Sequence, residues 1–339
     1  ALASWWDERR VHATVDSWRY RVTWRAARET ARRPLSGSWL LVVPDSHVGT
    51  GWVRSVGRIL TEQGVHTRQV AVTARDCDRR RLVELLGETL NAPTPPGEAT
   101  AGVLSLLSLA EERHPNHAAV AWGAAANVAL IQALDDANVT APLWCVTSGA
   151  VSTGPSNPVT SPVQALIWGL GGIVAAEHPD RWGGVIDLPA TVDEQIGAQL
   201  VAALGDQRDE TEIAVRGSGL FVRRLVRAPV DGAPRARRWQ PRGTAVITGG
   251  TGALGGHVAR WLARNGAEHL LLISRRGRDA PGSAELEAEL NALGAKVTIA
   301  ACDVADRGAL ADVLASIPAA YPLTAVVHTA AVLDDALLA

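Results

Sequence analysis

Residues 244–255 read Thr-Ala-Val-Ile-Thr-Gly-Gly-Thr-Gly-Ala-Leu-Gly and place Gly250, Gly252 and Gly255 at GxGxxG spacing after the apolar run Ala245-Val246-Ile247. The run reads as a buried parallel strand. The residues that follow carry a helical pattern with Val258, Trp261 and Leu262 on one face. Strand, glycine turn and helix start come in the order a dinucleotide needs. One glycine permits the tight turn, one lets the backbone approach a pyrophosphate, and one lets the helix pack close to the sheet. The unpaired amides of the first helical turn, aided by the helix dipole, then face the phosphates.

Three further segments extend this constellation. Roughly twenty residues past the last glycine, where an NAD site carries Asp or Glu for the ribose 2′-OH, the second strand ends in Ser274-Arg275-Arg276-Gly277. Two arginines there favour the 2′-phosphate of NADP, by charge-assisted hydrogen bonds or by stacking on adenine. In Ala301-Cys302-Asp303-Val304, Asp303 is placed to accept from an adenine amino group with Val304 against the ring; a turn or capping aspartate is the competing reading. In His328-Thr329-Ala330-Ala331, small residues let a nicotinamide ribose approach the backbone; close packing is the competing reading. His114-x-x-His117 has no acidic or cysteine partner at ligand spacing, so no metal site is expected.

The elements that must position these groups alternate between strand-like runs and helical patterns, which means parallel sheets with helices on both faces. In the second half, Leu270 to Ile273, Val297 to Ala300 and Leu323 to Val327 continue the strands. Ser283 caps a helix with Leu286, Leu290 and Leu293 on its face and Gly294 at its end; Asp306 caps another bearing Leu310, Val313 and Leu314. A complete doubly wound sheet needs more strands. In the first half, strands are expected at Trp39 to Val43, Val65 to Val72, Gly102 to Leu107, Pro142 to Val146, Gly183 to Asp187 and Glu212 to Val215. Helices are expected at Trp52 to Leu60, Arg80 to Leu90, Asn127 to Leu134, Val163 to Ala176 and Asp193 to Leu204. The loop after the first of these strands, Pro44 to Gly51, lacks the glycine spacing, and Pro44 has no amide to give a phosphate.

The expected fold is therefore α/β, with two Rossmann-like doubly wound parallel-sheet subdomains. The first, 18–226, is degenerate and without a phosphate loop; the second, 243–339, is truncated after its fourth strand. Residues 227–242 read as a linker and 1–17 as a linker or docking segment.

The chain has 339 residues and a formal net charge of -2, which gives no argument for nucleic acid or an acidic membrane as partner. Cys77, Cys145 and Cys302 are scattered, so a disulfide framework is not expected and a reducing cytoplasm fits. No signal peptide or apolar stretch of spanning length is present. The chain contains no methionine, even at its start. That fits a sequence beginning inside a longer polypeptide, or one from which methionine positions are missing.

Taken together, these residues resemble the ketoreductase domain of modular type I polyketide synthases, in the short-chain dehydrogenase/reductase superfamily. The resemblance runs from about Trp18 to the last residue. In the first half it rests on Arg19-Tyr20-Arg21-Val22-Thr23-Trp24, Pro142-Leu143-Trp144, Trp168 to Gly172, Glu177-His178-Pro179 and Trp182 to Pro189. Gly172 stands where the family usually has a basic residue, and Ala331 replaces a common glycine.

The resemblance implies a structural subdomain followed by a catalytic one, and NADPH-dependent reduction of a β-ketoacyl thioester carried on an acyl carrier protein, next to other synthase domains. It implies that Gly249, Gly250, Thr251, Gly252, Ala253, Leu254, Ser274, Arg275, Arg276, Cys302, Asp303, Val304, His328, Thr329, Ala330 and Ala331 bind NADPH. It also implies that Leu333-Asp334-Asp335 is the Leu-Asp-Asp motif of B-type members, which steers formation of the D-hydroxyl; on spacing alone an acidic loop start with Asp335 as a helix cap is the favoured reading. The family's catalytic tyrosine, serine, lysine and asparagine find no match. Tyr20 and Tyr321 are misplaced, and Lys296, the only lysine, has no Tyr-x-x-x-Lys partner. A reductase-inactive scaffold and a sugar-nucleotide epimerase are the alternatives; the degenerate first half argues against the latter.

Overall fold

Strand β2 (Ser38–Pro44) is buried at every position, as a continuous apolar run must be when helices cover both faces of a parallel sheet. Its alternate residues feed two cores: Leu40 and Val42 pack with Leu130 and Ile167, whereas Leu41 and Val43 pack with Leu60 and Leu200. The computed structural model describes residues 10, 13–27, 34–91, 99–205, 210–228 and 239–338. The chain divides into two compact units, Ala1–Val230 with Ala336–Ala339, and Asp231–Asp335. Most of the segment 1–17, and residues 229–238 of the expected linker, lie outside the described residues.

The first unit contains β1 (Tyr20–Ala26), β2, α1 (Gly51–Glu62), β3 (His66–Val72), α2 (Arg79–Leu90), β4 (Thr100–Ser105) and α3 (Trp122–Asp136). It continues with β5 (Leu143–Ser148), α4 (Leu166–Glu177), β6 (Trp182–Leu188), α5 (Glu194–Leu204), β7 (Glu212–Arg216) and β8 (Gly219–Arg227). These strands form one sheet in the order β1-β8-β7-β6-β5-β4-β2-β3. The strands from β2 to β7 are parallel, and β8 runs antiparallel to both β7 and β1. Strand β8 has no counterpart in the sequence reading, because Arg223, Arg224 and Arg227 interrupt its apolar run.

Between β2 and β4, where the strand order reverses and an open sheet of this kind holds its ligand, Leu106 and Leu107 are fully buried and fill the space. Helix α1 is capped by its own Thr50 side chain. The expectation of a Rossmann shape without a phosphate loop agrees with this packing.

A buried polar network ties the carboxyl ends of β5, β6 and β7. The Asp187 carboxylate accepts from Thr147 Oγ1 (2.6 Å), the Ala150 amide (2.8 Å) and an Arg216 guanidinium nitrogen (2.7 Å). Trp168 Nε1 donates to Thr147 Oγ1 in turn. Every member has its partner, so the buried charges are compensated.

The second unit runs β9 (Thr244–Thr248), α6 (Ala253–Arg264), β10 (His269–Ser274), α7 (Ser283–Ala292), β11 (Lys296–Ala301), α8 (Arg307–Ala315) and β12 (Leu323–His328). Its sheet is parallel throughout, in the order β11-β10-β9-β12. Numbered within the unit this is 3-2-1-4, the opening of the dinucleotide-binding order, with its switch point between β9 and β12.

Three details of the sequence reading are corrected here. Trp261 is not on the inward face of α6. That face carries Gly255, Gly256, Ala259 and Ala263, whose small size lets the helix approach the sheet, together with Leu262. Trp261 is half exposed and stacks on Trp239, with centroids 6.1 Å apart and planes 7° from parallel. Ser283 does not cap α7. Gly282, in the left-handed region, holds the cap position, and the Ser283 hydroxyl donates to the Arg278 carbonyl. Leu293, the C-cap of α7, is exposed, whereas Leu286 and Leu290 are buried as expected. Asp306 does cap α8, accepting from the amides of Gly308 and Ala309.

The amino ends of the four strands are joined by one chain of hydrogen bonds. The buried His269 imidazole lies 2.9 Å from Thr298 Oγ1 through Nε2 and 2.8 Å from Thr244 Oγ1 through Nδ1. The Thr244 hydroxyl donates to the Tyr321 carbonyl. With that proton committed, Nδ1 donates to Thr244 Oγ1, and in the neutral ring Nε2 accepts from Thr298 Oγ1.

Candidate functional site

Strand β9 ends at Thr248, and the glycine turn begins at once. Gly249 has φ +67, and a Cβ there would stand 2.9 Å from the Ala330 nitrogen, so the turns after β9 and β12 meet backbone to backbone. Gly250 is buried beneath the turn, its amide donating to Ile273 O (3.1 Å). At Gly255 a Cβ would lie 2.3 Å from Gly249 O, so this glycine lets α6 pack onto the turn. Gly252 is the cap residue of α6 and no side chain caps the helix, so its first-turn amides have no side-chain acceptor.

Across the switch point, Thr248 organises the segment after β12. Its Oγ1 lies 2.6 Å from His328 Nδ1 and accepts from the Ala330 amide (3.3 Å). The Thr329 hydroxyl and amide both donate to Thr248 O, at 2.6 and 3.1 Å. After β10, the Ser274 hydroxyl accepts from the Gly277 amide (3.0 Å) and closes a turn around Arg275 and Arg276. Both arginines are exposed and have no ion pair among the described residues, whereas Arg278 binds Glu287 at 2.7 Å. After β11, Cys302 is buried, and Asp303 Oδ1 accepts from the Ala305 amide (3.0 Å) in a local turn. That bond is the turn role read from the sequence. It leaves Asp303 exposed beside the crevice.

These four strand ends surround one open crevice of about 900 Å³. Its walls bring together Gly249, Thr251, Gly252, Ser274, Arg275, Arg276, Cys302, Asp303, Val304, His328, Thr329, Ala330 and Ala331. Gly250, Ala253 and Leu254 lie outside the lining: the first is beneath the turn and the other two open α6. Ile273, Ala305 and Val332 also line it and were missed. Each adjoins a recognised segment, which is the signal that could have found them. Leu333, Asp334 and Asp335 follow Val332 as an exposed segment without regular structure. No helix begins at Asp335 within the described residues, so its capping role is not realised there.

The crevice is lined by no tyrosine and no lysine. Lys296 and Tyr321 do meet, the ammonium 4.8 Å from the ring centroid, but at the amino ends of the strands. That is about 15 Å of strand away from the crevice. His114 and His117 stack at 5.1 Å, and no group of residues suited to a metal occurs among those described. Among the same residues no helix is long and apolar enough to cross a membrane.

Residues 22–225 match the family described as "Polyketide synthase extender module SpnB, Rossmann fold domain", and residues 243–339 match the KR domain family. The chain belongs to the ketoreductase domains of modular polyketide synthases. It is 49% identical over 333 residues to polyketide synthase GfsA of Streptomyces halstedii, covering 98% of this chain and 4% of that protein. It is 46% identical over 329 residues to pikromycin polyketide synthase component PikAIII of Streptomyces venezuelae, covering 96% of this chain and 19% of that protein.

A solved C2-type ketoreductase from a modular polyketide synthase superposes with a TM-score of 0.78 at 44% identity, covering 95% of this chain and 66% of that one. An A1-type ketoreductase superposes with a TM-score of 0.75 at 44% identity, over 94% and 65%. The ketoreductase chain thus spans a small share of the synthases it matches and about two thirds of the solved ketoreductases. Ketoreductase domains are nicotinamide-dependent oxidoreductases, and membership implies β-ketoacyl reduction as the family reaction.

Proposed function

We propose that this chain binds NADPH for the reduction of a β-ketoacyl thioester, carried on an acyl carrier protein, to the D-β-hydroxyacyl thioester during polyketide assembly. The observation that carries the cofactor choice is a contrast between neighbours: Arg278 is neutralised by Glu287, while Arg275 and Arg276 line the crevice with no ion pair among the described residues. Two unpaired guanidinium groups suit the added 2′-phosphate, and no acidic residue in that turn invites a free 2′-OH.

The rest of the crevice fits the same ligand. The uncapped amides at the start of α6, with Gly249 to Leu254, suit a pyrophosphate. Cys302, Asp303 and Val304 suit adenine, and the close-packed backbone of His328 to Ala331 suits the nicotinamide ribose. The cofactor would supply the hydride. The chain's own part is to hold it against the β9–β12 switch point. In this reading Leu333, Asp334 and Asp335 guide the phosphopantetheine arm along one side of the site. The partners are the carrier protein and neighbouring synthase domains, in the cytoplasm.

The test is a titration of NADPH and NADH against the full-length protein and its Arg275→Ala/Arg276→Ala variant, with turnover of a β-ketothioester alongside. The double variant should lose NADPH binding on the scale of about 1.5–3 kcal/mol for a hydrogen bond to a charged group. Equal affinity for the two cofactors in the parent would reject the assignment. NADPH binding without turnover would mark a reductase-inactive scaffold, the alternative reading.

A further inference from the structure

Resting on the NADPH reading above, we propose that Gly277, backed by Ala301, is a positioning residue for cofactor choice. It holds the turn that presents Arg275 and Arg276 and touches no ligand itself.

The turn is confined on three sides. At its start, the Ser274 hydroxyl accepts the Gly277 amide at 3.0 Å, so Arg275 and Arg276 are the two central residues of a closed loop. Beyond it, Arg278 is held by its ion pair to Glu287 and by the Ser283 hydroxyl on its carbonyl. Beneath it lies β11. Gly277 has φ +53, and a Cβ there would stand 2.8 Å from both the nitrogen and the Cβ of Ala301 and 2.9 Å from its Cα. That backbone is held by β10: β11, the edge strand of the sheet, is paired with it along its length, and the Cys302 amide donates to Ser274 O at 2.9 Å.

Any side chain at 277 therefore meets both a disfavoured backbone region and the backbone of a paired strand. The turn must lift from β11. Since Arg278 is anchored on the far side, the displacement falls on Arg275 and Arg276. The glycine turn and the start of α6, which suit the pyrophosphate, take no hydrogen bond from this loop.

The consequence is selective. Gly277→Ala should weaken NADPH about tenfold or more, the scale of one lost bond to a charged group, and leave NADH within about twofold, less than one bond's worth. Ala301→Val presses on the same contact from the strand side and should give the same signature, so a folding failure of one variant leaves the other to decide.

The experiment measures dissociation constants of both cofactors by nucleotide fluorescence on full-length parent, Gly277→Ala, Ala301→Val and Arg275→Ala/Arg276→Ala proteins. Circular dichroism and thermal midpoints without cofactor establish folding. Loss of NADPH preference in both small-residue variants, matching the arginine variant, supports the proposal. Folded variants that keep the parent's preference, or lose both cofactors equally, overturn it. A parent without preference refutes the NADPH reading itself, before the role of Gly277 is reached.

Discussion

Thr248 Oγ1 lies 2.6 Å from His328 Nδ1, joining the ends of the first and fourth strands of the second unit at the point where their order reverses. The same hydroxyl accepts the Ala330 amide, so one side chain sets both the imidazole and the backbone of the opposite wall. Thr248→Val removes both bonds while keeping the volume. At about 1 kcal/mol per hydrogen bond, it should weaken NADPH and NADH by similar factors, because this wall suits the part common to both. Calorimetric titration checks this, and a loss confined to NADPH would show that the pair acts elsewhere.

The Asp187–Arg216 ion pair is closed to water, the two side chains being 0% and 7% exposed. Removing one partner of such a pair costs about 3–5 kcal/mol, since the other charge stays buried. Arg216→Leu should therefore lower the urea midpoint of the first unit's transition sharply. Where the variant remains folded, cofactor affinity should be unchanged, because Arg216 belongs to the first unit and the crevice residues to the second. An unchanged midpoint would contradict the network's stabilising role.

His269 provides a pH-dependent term. Burial, followed by the nearby Lys296 ammonium, holds its pKa below the ordinary 6.5. The unfolded chain then takes up the proton more readily than the folded one, so this contribution to stability is complete above the unfolded value. It is lost as pH falls from there through the folded value. Thermal midpoints of the parent and His269→Gln between about pH 7.5 and 5 should converge toward the acid end. Parallel curves would mean that His269 titrates as in the unfolded chain.

Asp335 is the residue on which the proposed D-configuration depends most. Chiral chromatography of the product from the full-length protein should show the D-hydroxyl, and Asp335→Ala should erode that excess; a change of about 1.4 kcal/mol already shifts the ratio tenfold. Predominant L-hydroxyl from the parent would reject the B-type assignment. Unchanged selectivity in the variant would leave the motif a marker without a steering role.

Local sequence determined the elements of the second unit. The glycine spacing after Val246-Ile247 specifies a strand, a tight turn and a helix start. Asp306 specifies the cap of α8, and Ser274-Arg275-Arg276 comes at the end of the second strand. Each depends on residues a few positions apart, whose backbone preferences and hydrogen bonds act within one turn.

Contacts between distant segments decided the rest. Trp261 fits a helical stripe but faces outward, because the inward face of α6 is made of glycines and alanines with Leu262, and Trp239 offers a stacking partner. Tyr321 and Lys296 meet only because parallel pairing brings the starts of strands together. Gly277 reads as an ordinary turn residue until β11 is laid against it, and the crevice exists only once four strand ends adjoin. Periodicity and capping encode what each segment becomes. Which faces meet is settled by pairing and close packing across the fold, where a single Cβ is enough to exclude a neighbour.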